Sequence, residues 1–270
     1  MKRIPGLLLL ILAPVLASAQ SGLDGTWRID VTKAQIDQKP TIFELKNGMF
    51  VCSTCDPKLN IKANGQEQKV AGSPYVDMEK ISMLSGRTVE RVGSKDGKVR
   101  FRATYTVSAD GRTLTEKYEG HPANSAQAVV ATTVYSRVGE PESGAHAISG
   151  AWKGEKYEGV SDNALTFSYS MNGDGLNYKA STGESYSAKF DGKDYPFHGD
   201  PGTTEVVLKK LDDHTFEETY KRNGEVVGKQ RMTISSDGKS MNIVAQDTRR
   251  GTTDTFVAGK KEGSDTMADK

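Results

Sequence analysis

Two cysteines, Cys52 and Cys55, are all that the 270-residue chain contains. A disulfide-dense scaffold is thereby excluded, and so is a four-cysteine zinc site. Charge of either sign is not in excess: 36 Lys and Arg stand against 35 Asp and Glu, which leaves no basic stripe for a nucleic-acid partner. There is no Gly-x-Ser-x-Gly elbow, no His-Glu-x-x-His helix and no glycine loop of the phosphate-cradling kind, so the hydrolase, zincin and P-loop classes have no motif to rest on. His121, His146, His198 and His214 show no paired ligand spacing, and His198 and His214 fall in turn-like stretches. The acidic pairs Asp212-Asp213 and Glu217-Glu218 are adjacent in sequence, so on a strand their side chains point to opposite faces and do not share a proton. They read as solvated turn and edge charges. No cofactor and no metal is expected.

Long apolar runs are missing too, except at the start. MKRIPGLLLLILAPVLASAQ has a basic n-region at Lys2 and Arg3, an apolar h-region from Leu7 to Leu16 and a small-x-small site at Ala17-Ser18-Ala19. This predicts a signal peptide over residues 1–19, cleaved after Ala19, and a periplasmic or secreted mature protein. No cysteine follows the cleavage site to take a lipid anchor, and no later segment is apolar enough to span a bilayer. Loss of Lys2 and Arg3 takes the formal charge from +1 to −1.

What the chain has is turns. Asn64-Gly65, Asp96-Gly97, Asp110-Gly111, Asp191-Gly192, Asn223-Gly224 and Asp237-Gly238 supply the positive φ that tight hairpins require. Between them run alternating segments: Val99, Phe101, Ala103, Tyr105 and Val107 share one face of a strand, and Arg100, Arg102, Thr104 and Thr106 the other. The pattern is written twice. GTWRID at Gly25 has a counterpart in GAWKGE at Gly150, and an offset of 127 then aligns Gly65 with Gly192, Pro74 with Pro201, Glu90 with Glu217 and SADGRTLT with SSDGKSMN. Each copy holds roughly eight to ten strand-like runs, and closure into a barrel removes the exposed edges such a meander leaves. The expected fold is all-β, two tandem antiparallel up-and-down barrels from internal duplication. Barrel 1 is placed at 20–138, a Pro/Gly/Ser linker at 139–147, barrel 2 at 148–259 and a disordered tail at 260–270.

A Gly-x-Trp on the opening strand followed by a hairpin meander of this length resembles the calycins, the lipocalin and fatty-acid-binding group. More closely, GTWRIDVTKAQ and DGKDYP…GDP…SSDGKSMN resemble uncharacterised exported bacterial proteins with lipocalin-like domains. The resemblance implies that Trp27 and Trp152 close the barrel floors. Only Thr32 to Pro40 separates the first two strands, too few residues for the helical lid of the fatty-acid binders.

Cys52-Ser-Thr-Cys55 is followed by Asp56, which excludes haem attachment of the C-x-x-C-H type. An oxidising compartment favours a local disulfide; thiol redox work and a metal site remain as alternatives. The offset of 127 gives Lys179 and Thr182 as the twins of the two cysteines. Arg102 and Arg231 occupy matching strand positions on the non-apolar face. If that face points into a small barrel, they are candidates to hold a ligand carboxylate; if it faces water, they are surface charge. The expected function is therefore a non-catalytic, exported binder of a small apolar or amphipathic ligand. An enzyme of unfamiliar type, a thiol redox protein and a protein-interaction module are the alternatives.

Overall fold

A computed structural model describes residues 22–262. The expected signal peptide and residues 263–270 of the expected tail lie outside the described residues. Twenty strands and one four-residue helix order the rest. The first half carries β1 (Gly25–Gln35), β2 (Thr41–Lys46), β3 (Met49–Cys52), β4 (Leu59–Lys62), β5 (Glu67–Lys69), β6 (Met78–Ser85), β7 (Thr88–Lys95), β8 (Lys98–Val107), β9 (Thr113–Gly120) and β10 (Val129–Val138). The second carries β11 (Gly150–Val160), α1 (Asp162–Leu165), β12 (Thr166–Asn172), β13 (Gly175–Ala180), β14 (Ser185–Lys189), β15 (Tyr195–His198), β16 (Glu205–Lys210), β17 (Thr215–Arg222), β18 (Glu225–Ile234), β19 (Ser240–Asp247) and β20 (Thr252–Lys260). No helix among the described residues is long and apolar enough to cross a membrane.

Hairpin chemistry forms most of these elements as the sequence predicts, but Asn64-Gly65 falls between β4 and β5, which do not pair. Asp96 and Asn223 both adopt positive φ, 52° and 53°, ahead of Gly97 and Gly224, so the same two-residue turn joins β7 to β8 and β17 to β18. The result is two ten-stranded antiparallel sheets, one a closed barrel and one nearly closed.

The sheets do not follow the two halves of the sequence. The closed barrel runs β1-β12-β13-β14-β15-β16-β17-β18-β19-β20, and the other runs β4-β3-β2-β11-β10-β9-β8-β7-β6-β5. Each opening strand thus completes the opposite copy: β1 lies between β12 and β20, and β11 between β2 and β10. The barrel expected at 20–138 instead spans 41–160, and it is nested in the sequence of the one expected at 148–259. Residues 139–147 join two strands of one barrel rather than linking barrels; the crossings are residues 36–40 and 161–165. The physical reason lies in the duplicated opening strand. Gly25 and Gly150 both take φ near +130°, at 126° and 129°, a conformation open to glycine alone. Both begin eleven-residue strands that place a tryptophan in a core, so the shared opening does not by itself tie either strand to its own copy.

Both tryptophans are fully buried in matching settings. The Trp27 indole donates to the Leu23 carbonyl (2.8 Å) and lies under Lys260, and the Trp152 indole donates to the Ile148 carbonyl (2.7 Å) and lies under Arg137. Lys260 therefore belongs to the closed barrel rather than to the tail. Trp27 packs with the core of β12–β20, and Trp152 with that of β2–β10.

The nearly closed barrel has its seam between β4 and β5. There the Gln68 side chain substitutes for a backbone ladder: its amide oxygen accepts from Lys62 N (2.9 Å) and its amide nitrogen donates to the Lys62 carbonyl (2.7 Å). We call this the seamed barrel.

Candidate functional site

The pairing registers allow the two interiors to be compared position by position. In the closed barrel the ladder from the opening strand reads Gly25, Tyr169, Tyr178, Tyr186. In the seamed barrel it reads Gly150, Phe43, Cys52, Leu59. The structural twin of Cys52 is thus Tyr178 rather than Lys179, a shift of one residue from the sequence offset. On the opposite wall the offset of 127 holds, and Arg91, Tyr105 and Glu116 take the places of Glu218, Met232 and Ile243.

These exchanges fill one barrel and empty the other. In the closed barrel Tyr169, Tyr178, Tyr186, Phe197 and Tyr220 form a chain of ring contacts, with centroids 5.2–5.9 Å apart between successive members. At its centre lies Glu218, 1% exposed. Its carboxylate accepts from Tyr169 Oη (2.9 Å), Tyr186 Oη and Tyr220 Oη. Burial pushes the Glu218 carboxyl above the usual glutamate value, against the opposing pull of the three hydroxyls. A buried polar group so fully satisfied needs no ligand.

In the seamed barrel the smaller Cys52 and Leu59 leave space, and a cavity of about 790 Å³ reaches from the interior to the groove between the barrels. That is within the size range of small-molecule sites. Its deep wall is polar. Arg91 is clamped by Glu79 through Nη2 (3.0 and 3.3 Å), and its Cζ lies 5.8 Å from the Phe50 ring centre and 5.7 Å from that of Phe101. Arg91 Nε has no hydrogen-bond partner among the described residues. Across from it Glu116 accepts from Tyr135 Oη (2.6 Å). Burial, followed by the negative charge of Glu116, raises the hydroxyls of Tyr105, Tyr118 and Tyr135 above the ordinary tyrosine value, so they are donors at neutral pH.

Loops of the closed barrel roof the mouth. Thr182, Glu184, Gly199, Asp200, Pro201 and Arg250 all border the cavity. Gly183, at φ 105°, passes so close to Asn124 that a Cβ would stand 2.9 Å from its carbonyl oxygen. Tyr75 sits on Gly202 in the same way, where a Cβ would stand 1.9 Å from the phenol oxygen.

The cysteines lie at this rim. Cys52 and Cys55 form a disulfide, Cys52 is fully buried in the core, and Cys55, Asp56 and Pro57 border the cavity. Asp56 pairs with Arg249 of the closed barrel at 2.6 Å, so the stapled loop also fastens one barrel to the other.

Arg102 and Arg231 are brought to no cavity. Both are exposed on outer faces, Arg102 paired with Glu90 (2.5 Å) and Arg231 with Glu217 (3.2 Å). Arg102 alternates with the inward residues Phe101, Ala103 and Tyr105 and so points out, and the register shift between Gly93 and Ser94 turns Val99, expected on the inward face, out to solvent. The interior arginine is Arg91 instead. Glu218 is likewise a correction: it does face away from Glu217, but into a core rather than into solvent. A signal for both was present in the alternation, since Arg91 is in phase with Val89, and Glu218 with Phe216 and Tyr220. Of the histidines, His121 borders the cavity beside Glu119 (3.3 Å), whereas His146 is tied to the Ser85 carbonyl (2.7 Å).

No family model matches the chain, and no curated protein matches it in sequence.

Proposed function

We propose that this protein is an exported binder of small amphipathic molecules, with the seamed barrel as its one ligand chamber and the closed barrel as a filled partner. The observation that carries this reading is the cavity of about 790 Å³ in one barrel, beside a twin whose interior is occupied by its own aromatic side chains. A polar deep wall under aromatic and aliphatic sides is the composition of a site that orients a ligand with one polar end. The Gly-x-Trp opening strands and the barrel architecture support the resemblance to the calycins, a group built around such chambers. The leader-like start of the sequence and the Cys52–Cys55 disulfide support export to an oxidising compartment.

The test is direct. The mature chain purified from its native compartment is analysed by native mass spectrometry for a copurified molecule, then titrated with the uncharged probe N-phenyl-1-naphthylamine. One bound molecule per chain is expected. Filling the chamber by Ala103→Met should abolish binding, whereas Tyr220→Phe in the closed barrel should not. Binding that survives Ala103→Met and is lost in Tyr220→Phe would place the chamber in the other barrel and sink the reading.

A further inference from the structure

We infer that the seamed barrel selects organic cations: an ammonium group carried on an aromatic or apolar body. The inference rests on the cavity reading above and adds to it the sign of the ligand's charge. Interior arginine invites the opposite expectation, a carboxylate ligand, but the Nη2 edge of Arg91 is already committed, and one buried donor, Nε, is left without a partner among the described residues. Glu79, 5% exposed, holds its Nη2 edge with both oxygens, and the pair is nearly dry, with the two side chains 11% and 6% exposed. Breaking such a pair to admit another carboxylate leaves Glu79 buried and uncompensated, which is strongly unfavourable.

The remaining interior charge is Glu116. It accepts from Tyr135 and has no ion pair of its own among the described residues. Counted together, the deep wall sets two carboxyl groups, Glu79 and Glu116, against one guanidinium. The mouth does not reverse this, since Lys95, Arg100 and Arg250 stand against Asp96, Glu184 and Asp200. The closed barrel shows the same wall without an open carboxylate: Glu218 receives three tyrosine hydroxyls and is 1% exposed. Glu116 receives Tyr135, with Tyr105 and Arg91 also facing it, and it borders the cavity. What surrounds it fits a cation, because Tyr105, Phe101 and Tyr118 line the same space, the last two stacked with centroids 6.1 Å apart. Electron-rich ring faces together with one carboxylate attract an ammonium and repel an anion.

The experiment compares two probes of one shape and opposite charge, phenethylamine and 3-phenylpropionate, by calorimetry on the full mature chain at low salt. Phenethylamine should bind one per chain and at least about tenfold tighter than 3-phenylpropionate. Glu116→Gln should weaken the amine by about tenfold or more while leaving 3-phenylpropionate unchanged or tighter. Equal affinities, or a preference for the carboxylate, overturn the inference. If 3-phenylpropionate or N-phenyl-1-naphthylamine binds and Ala103→Met abolishes it while phenethylamine fails, the chamber stands and the cation preference falls. If none of the three probes binds, both fall. Should Glu116→Gln not fold, the two-probe comparison on the unmodified chain decides alone.

Discussion

At the scale of single residues, one of the exchanges that distinguish the barrels sets Arg91 in one against Glu218 in the other. Neither residue is conspicuous in TVERV or TFEET. Each sits in a run of polar residues, and only its phase relative to Val89 or Phe216 betrays an inward direction. Which of the two borders a cavity is not legible at all, because that depends on Tyr178 and Tyr186 standing where Cys52 and Leu59 stand, across a register the sequence offset misplaces by one. Glu218 gives a pH prediction. Its folded carboxyl titrates above the unfolded value of 4.5 because burial disfavours the charge. Its contribution to stability is therefore complete below that value and is lost as pH rises through the folded pKa. Glutamine has no such loss. The Tm of Glu218→Gln relative to the natural protein should thus improve as pH rises above 4.5, until the folded carboxyl is ionised, as read by circular dichroism. A constant difference across that range would mean that the carboxyl is ionised alike in both states.

At the scale of elements, the turns and most of the strands could be read directly, because Asn-Gly and Asp-Gly pairs dictate backbone conformation locally and need no partner to do so. The disulfide was equally legible, since Cys52 and Cys55 sit two residues apart at the end of one strand and beside the start of another. What it fastens was not: the β3–β4 connection forms the rim of the cavity and carries Asp56 to Arg249. A four-residue covalent loop restricts the unfolded chain modestly, by about 2 kcal/mol. The double variant Cys52→Ser, Cys55→Ser should accordingly melt lower by roughly 4–8 °C. It should retain native far-ultraviolet circular dichroism, and reductant should move the natural protein's Tm by the same amount. A redox role predicts something else, a pair that cycles under mild thiol buffer without loss of stability. That result would displace the staple reading.

At the scale of the whole molecule, the duplication was visible and the exchange of opening strands was not. Two first strands that both open on Gly-x-Trp carry no evident sequence label for the sheet they join, and the label emerges from packing. At the position matching Ile29 of β1, β11 has Gly154, and there a Cβ would come within 2.6 Å of Ile36 Cγ2. At Gly150 a Cβ would come within 2.5 Å of Arg137 Nη1. β11 is therefore fitted to the seamed barrel at two points, one of which β1 cannot match. The core follows the same division: every member of the seamed barrel's buried cluster lies between Phe43 and Trp152, whereas that of the closed barrel needs Leu23 and Trp27 together with residues beyond 166. This predicts which pieces fold. A fragment of residues 36–160 contains all ten strands of the seamed barrel and should fold alone, with a cooperative melt and a buried Trp152 by fluorescence. The fragment 20–138, cut where the repeat ends, loses β11, Ile148 and Trp152. Removal of one buried tryptophan side chain costs about 3–5 kcal/mol, a large share of the roughly 5–15 kcal/mol that holds a domain. If β1 folds back into the vacancy, Ile29 meets the space shaped for Gly154, so 20–138 should melt well below 36–160 or not fold. Equal melting temperatures would show that the opening strands are interchangeable, and that the short crossings at 36–40 and 161–165, rather than side-chain fit, dictate the exchange.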